Sequence, residues 1–415
     1  MSVSKRLEAA SQFGTPAYFY DLDAIRTRIA LLGDLFAGRF GVSYAIKANP
    51  NPALLEAIKP LLSTFDASSL GEVRRALAAG MPAARITFSG PAKRRAEITG
   101  AIDLGIGELV LENSRDARIA SAHAVEKGVV QTVLVRINPK EVPRRFGASM
   151  AGTASQFGID EECLEAELPF IQSLPGLKLV GFHIYSGSNC LHAEAIAENF
   201  EIFARIFRDA QKISGIAPTR LIFGSGFGVP YLPDEEGLDH EALPPLVNPI
   251  IDALKSEPAF KNANCNLELG RWIVGPNGWL LTQVVSEKQS RGKSIRMCDA
   301  GFNNHLAACG MMGSVLPRNW IFENLSNPAG ETAVFTLVGP LCTSIDRLAR
   351  DVHLPEVRID DFLSIASSGA YGLTASPTQF ISHPYPKEIV LRDGELFEAT
   401  EPLRYHRYDQ AETAG

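Results

Sequence analysis

Apolar residues along this chain fall into short runs separated by segments of helical period. Strand-like runs occur at about 42–47, 63–66, 85–89, 108–112, 131–138, 178–184, 219–224 and 264–270. Most are followed by a stretch with apolar positions three and four apart, such as Leu70–Ala79, Arg94–Leu104 or Ala193–Ile213. This alternation predicts an α/β protein built as a (β/α)8 barrel of the TIM type, with an open doubly wound sheet as the competing arrangement. Past Gly275-Pro276-Asn277-Gly278 the period changes. Trp279–Glu287, Ser294–Ala300, Thr332–Val338, Asp361–Ser367 and Glu388–Thr400 read as strands with few helices between them, which predicts an all-β C-terminal domain. Asp393-Gly394 marks the tip of a hairpin in the last of these runs. Pro16-Ala17-Tyr18-Phe19-Tyr20 reads as a strand ahead of the first barrel unit and is expected to pair with the β-domain. The expected division is an N-terminal segment over 1–24, the barrel over 25–275 and the β-domain over 276–415. The loop Lys140–Ser155, rich in Pro, Gly, Ser and Ala and carrying Arg144-Arg145, is the expected mobile segment.

Composition narrows the class. A chain of 415 residues with 46% hydrophobic and 21% charged residues can bury more than one core. No run approaches the roughly 18 apolar residues of a membrane span. The start, Met1 to Glu8, carries charge and no apolar stretch of the signal-peptide kind, so a cytoplasmic protein is expected. Six cysteines, at 163, 190, 265, 298, 309 and 342, include no C-x-x-C pair, which favours reduced thiols over a disulfide framework and predicts no metal site. A net charge of −7 and the absence of a long basic stripe argue against a nucleic-acid partner.

In a barrel of this type the chemistry belongs at the carboxyl ends of the strands. Polar residues collect there: Lys47 after the first strand, Asp66 at the second, Ser89 at the third, Arg136 at the fifth, His183 at the sixth, Gly224-Ser225-Gly226-Phe227-Gly228 at the seventh, and Glu268 with Arg271 at the eighth. Singly each has an ordinary explanation. Most strand-end lysines are solvated, Asp66 could cap a turn, His183 could be a core imidazole, and Glu268 or Arg271 could form a surface ion pair. Together they point to a site, because groups with shifted ionisation cluster where chemistry is done. A glycine-rich loop after the seventh strand leaves backbone N–H groups free to surround an anion, and phosphate sites recur at that place in barrels.

These residues carry a resemblance. Tyr44-Ala45-Ile46-Lys47-Ala48-Asn49, Phe65–Glu72, His183-Ile184-Tyr185-Ser186-Gly187-Ser188, Gly224–Gly228, Glu268-Leu269-Gly270-Arg271, Gly339-Pro340-Leu341-Cys342 and Gly369-Ala370-Tyr371-Gly372 resemble, in order, the fold-type III pyridoxal-phosphate decarboxylases, the diaminopimelate and ornithine decarboxylase family. The resemblance implies an alanine racemase-like barrel with a C-terminal β-domain, and pyridoxal 5'-phosphate as cofactor. It implies that Lys47 holds the cofactor's aldehyde covalently, that Glu268 faces the pyridine nitrogen, and that His183 stacks on the ring. Ser186, the Gly224–Gly228 backbone, Arg271 and Tyr371 match the phosphate-side contacts, and Asp66 an acid beside the lysine.

Cys342 matches the cysteine that, in this family, one subunit of a homodimer presents to its partner's cofactor to protonate the product carbanion; the bland alternative is a small buried thiol. Asp346 matches a second acid of the same loop, and Thr343 and Arg271 are further expected substrate contacts. Two departures matter. The family's E-P-G-R is Glu268-Leu269-Gly270-Arg271 here, which keeps both charges. The acidic residue that follows the cysteine in enzymes for free diamino acids is Thr343, which cannot pair with a distal ammonium. Gln156-Phe157-Gly158 and Ser376–Pro384 resemble the branch found in biosynthetic clusters, some of whose members act on modified or carrier-attached amino acids. The expected function is therefore decarboxylation of an L-amino acid or its derivative, modified and carrier-attached forms included. The alternatives are a free diamino-acid decarboxylase, an alanine-racemase-type enzyme, disfavoured by Glu268 and Cys342, and a non-catalytic relative, disfavoured by Lys47 with Cys342.

Overall fold

The structure, a computed structural model, describes residues 3–145, 148–149, 151–310 and 318–401. Eight strands, β1 (Gly41–Ala45), β2 (Thr64–Ala67), β3 (Ile86–Phe88), β4 (Glu108–Leu111), β5 (Gln131–Asn138), β6 (Leu177–Tyr185), β7 (Arg220–Gly224) and β8 (Asn264–Leu269), form one parallel sheet. Each pairs with the next, and β8 pairs back onto β1, so the sheet closes and the open-sheet alternative falls away. A strand in such a barrel is covered on both faces, which is why these runs read as continuously apolar.

Helices ring the barrel, and their starts follow from local chemistry. Asp21, Asn51, Ser69 and Asn113 each accept a hydrogen bond from a first-turn amide of the helix they precede, at 2.9 Å for Asp21 to Ala24 and 3.1 Å for Ser69 to Glu72. The longest helix, Ala193–Ser214, lays Phe200, Phe203 and Phe207 against Phe223 of β7, with ring centroids 5.0 Å apart for Phe200 and 5.2 Å for Phe207. Such aromatic contacts add to the apolar area they bury.

The second sheet is mixed and contains nine strands. Ala17–Asp21 lies in its interior, antiparallel to β9 (Gly278–Ser290) and parallel to β15 (Lys387–Arg392), with Tyr18 opposite both Leu280 and Glu388. Beyond β9 follow β10 (Lys293–Cys298), β12 (Thr332–Val338) and β13 (Arg347–Pro355), while β11 (Phe322–Asn324) pairs with β14 (Phe362–Ile365), itself paired with β9. The hairpin from β15 to β16 (Glu395–Glu398) turns through Asp393 and Gly394, whose φ angles of 53° and 80° suit that dipeptide.

Three elements escape the sequence pattern. The polar-looking start is a helix, Val3–Phe13, that buries Ala9 and Ala10 in a cluster with Phe19 and Trp279 and sends Arg6 to Glu323 and Ser364. Strand β11 is too short for a period to show. Strand β13 interleaves charged residues with apolar ones, and its register against β12 is irregular. Among the described residues no helix is long and apolar enough to cross a membrane.

Candidate active site

Strand β1 runs into a single tight turn, Ile46–Ala48, which puts Lys47 just past the strand at the barrel mouth. The turn is held from both sides. Tyr44 donates to the Asn49 carbonyl at 3.0 Å, and Asn51 accepts from the Ala53 amide at 3.0 Å as the cap of the helix that starts at Pro52. The β-domain closes over the same turn. Asn49 Nδ2 donates to the Gly369 carbonyl at 3.0 Å and the Tyr371 amide to Ala48 at 2.9 Å. A Cβ on Gly369 would lie 1.9 Å from the Val274 carbonyl oxygen, so only glycine permits that approach. Tyr371 is itself held at φ 55°, a left-handed conformation that aims its ring at the cavity.

Lys47 opens into this cavity, whose lining includes Tyr185, Ser188, Gly226, Phe227, Glu268, Arg271 and Tyr371. Asp66 stands opposite Ala45 in the β1–β2 register and takes a hydrogen bond from Ser89 Oγ at 2.7 Å. Burial opposes the charge on Lys47, but the carboxylates of Asp66 and Glu268 more than offset it and raise the ammonium above its ordinary value. Burial also raises the Asp66 carboxyl, with Glu268 adding to the effect and Lys47 opposing it. Glu268 goes the other way. Burial alone would raise it, yet His183 and then Lys47 bring it down to about 2. The His183 Nε2 to Glu268 Oε2 distance is 2.8 Å, with both side chains buried. In the β5–β6 register His183 lies opposite Arg136.

Arg271 follows β8 and is covered by two aromatic rings, with its guanidinium 4.8 Å from the Tyr371 ring centre and 5.5 Å from that of Tyr231, whose hydroxyl it also meets. Across the cavity the Cys190 amide donates to Gly226 O at 2.9 Å and the Gly228 amide to Cys190 O at 2.8 Å, which fixes the glycine loop against the segment after β6. Gly224 permits the close approach of β6, since a Cβ there would lie 2.4 Å from the Tyr185 ring. Ser225 Oγ is spent on the Phe223 and Glu268 carbonyls, at 3.2 and 3.3 Å.

Of the residues expected from sequence, the structure brings Lys47, Gly226, Phe227, Glu268, Arg271 and Tyr371 to one cavity, with Asp66, Ser186 and His183 on the adjoining strand ends. Gly224, Ser225 and Gly228 shape the loop rather than offer free polar groups. Cys342 and Thr343 lie on a β-domain loop that does not line this cavity within one chain. Asp346 has a structural role on that loop. Its oxygens accept the Phe302 and Leu341 amides, each at 2.8 Å, so it anchors the Cys342 loop, and it lines a cavity there with Thr343. Two residues here are not among those expected from sequence: Glu112, which follows β4, and Tyr231, which shares Arg271 with Tyr371; Glu112 carries the same signal as the other strand ends, a polar residue after an apolar run.

Four buried polar atoms around the cavity lack a hydrogen-bond partner in the described structure: Ser186 Oγ, His183 Nδ1, Asp66 Oδ2 and Arg271 Nε. Unpaired buried polar groups call for a ligand or water. A phosphorylated aldehyde cofactor fits them, with a lysine for the aldehyde, donors for the phosphate and a buried carboxylate for a protonated ring nitrogen.

Comparison with known proteins agrees. The family described as pyridoxal-dependent decarboxylase, pyridoxal binding domain, matches residues 22–275. An L-glutamyl-[BtrI acyl-carrier protein] decarboxylase of Niallia circulans is 31% identical over 92% of this chain and 90% of its own. A diaminopimelate decarboxylase of Methanothermobacter thermautotrophicus is 32% identical over 94% of this chain and 90% of its own. The crystal structure of Helicobacter pylori diaminopimelate decarboxylase complexed with L-lysine superposes with a TM-score of 0.84 at 29% identity, covering 95% of both chains.

The charge arrangement has a pH signature. Glu268 binds its proton less readily folded, at about 2, than at the ordinary 4.5, so its contribution to stability is full above pH 4.5 and lost as pH falls toward 2. Denaturant titrations of wild type and Glu268→Gln should give a stability difference that shifts by on the order of 2–3 kcal/mol across this window, in favour of wild type at the higher pH. A difference that does not change with pH would show that His183 does not hold this carboxylate charged.

Proposed function

The chain belongs to the pyridoxal-dependent decarboxylase family, and on that premise we propose that its substrate is an L-amino acid with a neutral or anionic far end, modified or attached to a carrier protein. It is a pyridoxal-phosphate-dependent amino-acid carboxy-lyase. The observation that carries the substrate reading is Thr343, the neutral residue after Cys342 where a carboxylate would grip a distal ammonium. The surroundings support it: Arg318, Arg347 and Arg350 line a cavity of about 460 Å³ with Ser344 and Ile345 of the same loop. The Niallia circulans relative, named for a carrier-bound glutamyl group, has a substrate of this class. The diaminopimelate decarboxylase relatives favour a free diamino acid as the second reading.

Bound pyridoxal phosphate supplies an electron sink for the pair left when the carboxyl group departs as carbon dioxide. Lys47 Nζ would attach the cofactor, and Asp66 and Glu268 beside it hold that ammonium above its ordinary value. Glu268 would keep the ring nitrogen protonated, since it stays ionised itself. Ser186, the Gly226 and Phe227 backbone and Arg271 would hold the phosphate, and His183 would cover the ring. Cys342, exposed on its loop, would come from the partner subunit of a homodimer and deliver the proton from Sγ to the product carbon.

Three measurements test this reading. Borohydride reduction of the yellow holoenzyme should place a pyridoxyl tag on the peptide containing Lys47; a tag on any other lysine removes the assignment. Inactive Lys47→Ala and Cys342→Ala proteins, mixed under subunit exchange, should recover about a quarter of wild-type activity, because random pairing makes half the dimers mixed and each mixed dimer has one intact site of two. No recovery after demonstrated exchange would end the shared-site claim. For the substrate, kcat/KM for free lysine, ornithine, arginine and meso-diaminopimelate should fall well below that for carrier-bound or modified amino acids. A value of about 10⁴ M⁻¹s⁻¹ or more for any free diamino acid, the low end of the usual enzyme range, would restore the second reading.

A further inference from the structure

One carboxylate at the barrel mouth joins three separate segments. Glu112 follows β4 and is 3% exposed. Its Oε1 accepts from the Gly90 amide at 3.0 Å and from Arg136 Nη1 at 3.0 Å, and its Oε2 accepts from the Gly158 amide at 2.7 Å. Gly90 lies on the loop after β3, Arg136 belongs to β5, and Gly158 ends the excursion that leaves β5 at Asn138 and returns at Ile159–Asp160, where the chain pairs again with β5. Gly158 has φ 71°, and a Cβ there would lie 3.0 Å from the Arg136 carbonyl oxygen, so the chain folds back tightly onto the strand at this point. Phe157, next to it, stacks 4.5 Å from the Arg136 guanidinium. Midway along the excursion Ala148 and Ser149 pair with Ser188 and Gly187, immediately after Ser186.

We propose that Glu112 is a positioning residue of the active site: one oxygen holds Arg136 beside His183, and the other pins the returning end of the segment that carries Arg144-Arg145 across to Ser186–Ser188. The segment's two exposed arginines are thereby tied to the wall that receives the cofactor's anionic end. The carboxylate is required as such, because all three partners are donors. A glutamine offers one acceptor oxygen, enough for Gly90 and Arg136 together, and turns its NH2 toward the Gly158 N–H, where two donors meet. Burial acts to protonate Glu112, but the charges of Arg136 and Lys93 and the Gly158 amide outweigh it and keep the carboxyl below its ordinary range.

The test is local cleavage. Trypsin should cut wild type slowly after Arg144 and Arg145, and Glu112→Gln should raise that rate on the order of tenfold or more, the scale of one lost charge-assisted bond. Asp116→Asn is the control. Asp116 is equally buried, pairs with Lys93 Nζ at 2.9 Å and, among the described residues, makes no hydrogen bond or ion pair with the segment. It should lower overall stability without changing the rate at Arg144-Arg145. No acceleration in Glu112→Gln, or the same acceleration in Asp116→Asn, would overturn the proposal. The unmutated protein gives an independent reading should the variant not fold. The Gly158 amide, donated to a buried carboxylate, should exchange its hydrogen at least about a hundredfold more slowly than those of the exposed Thr153 and Ala154. Equal exchange would likewise overturn it.

Discussion

Parallel register is the constraint from which this site follows. In a closed barrel each strand is fixed against two neighbours, so the residues at the strand ends cannot slide past one another. Glu268 is set opposite Gly224 on one side and Ser43 on the other, Ala45 opposite Asp66, and Arg136 opposite His183. A shift of one residue in any pair would turn the polar end of that strand from the mouth to the helical shell. The mouth then balances its own charge. Lys47 and Arg136 sit among Asp66, Glu112 and Glu268, with His183 between, and no one of these could be buried alone at tolerable cost.

Much of this is legible in the sequence because the strand ends contrast with what precedes them. A lysine, an aspartate or a histidine stands out after four or five apolar residues, and seven such places in order leave few other folds. Glu112 was readable in the same way, but it was absorbed into its strand, and two of its three partners are backbone amides that leave no trace in the residue types. The N-terminal helix was hidden for a different reason. Its buried face is made of Ala9, Ala10 and the paired Arg6, none of which marks an apolar stripe. Strand β13 carries Arg347, Arg350, Asp351 and His353, with Asp351 at φ 49°, so its alternation is broken where the backbone is irregular.

The β-domain is more than a neighbour of the barrel. Its sheet takes an interior strand from the start of the chain and its last hairpin from the end, so it is complete only when both termini have been brought together. The same sheet delivers Gly369 and Tyr371 to the Lys47 turn. Sequence motifs separated by more than three hundred residues thus become one wall, and the lysine's conformation depends on long-range assembly as much as on its own strand.

The Cys342 loop separates two properties that are often entangled. Its shape comes from the buried carboxylate of Asp346, which grips the amides of Leu341 and Phe302, and from Gly301 and Gly339, where any side chain would collide with that carboxylate. Under the function proposed above its chemistry would come from Cys342 and Thr343, whose side chains take little part in holding the loop. The residues at 343 and 344 can therefore be exchanged without refolding the support beneath. The loop works as an interchangeable tip on a fixed mount.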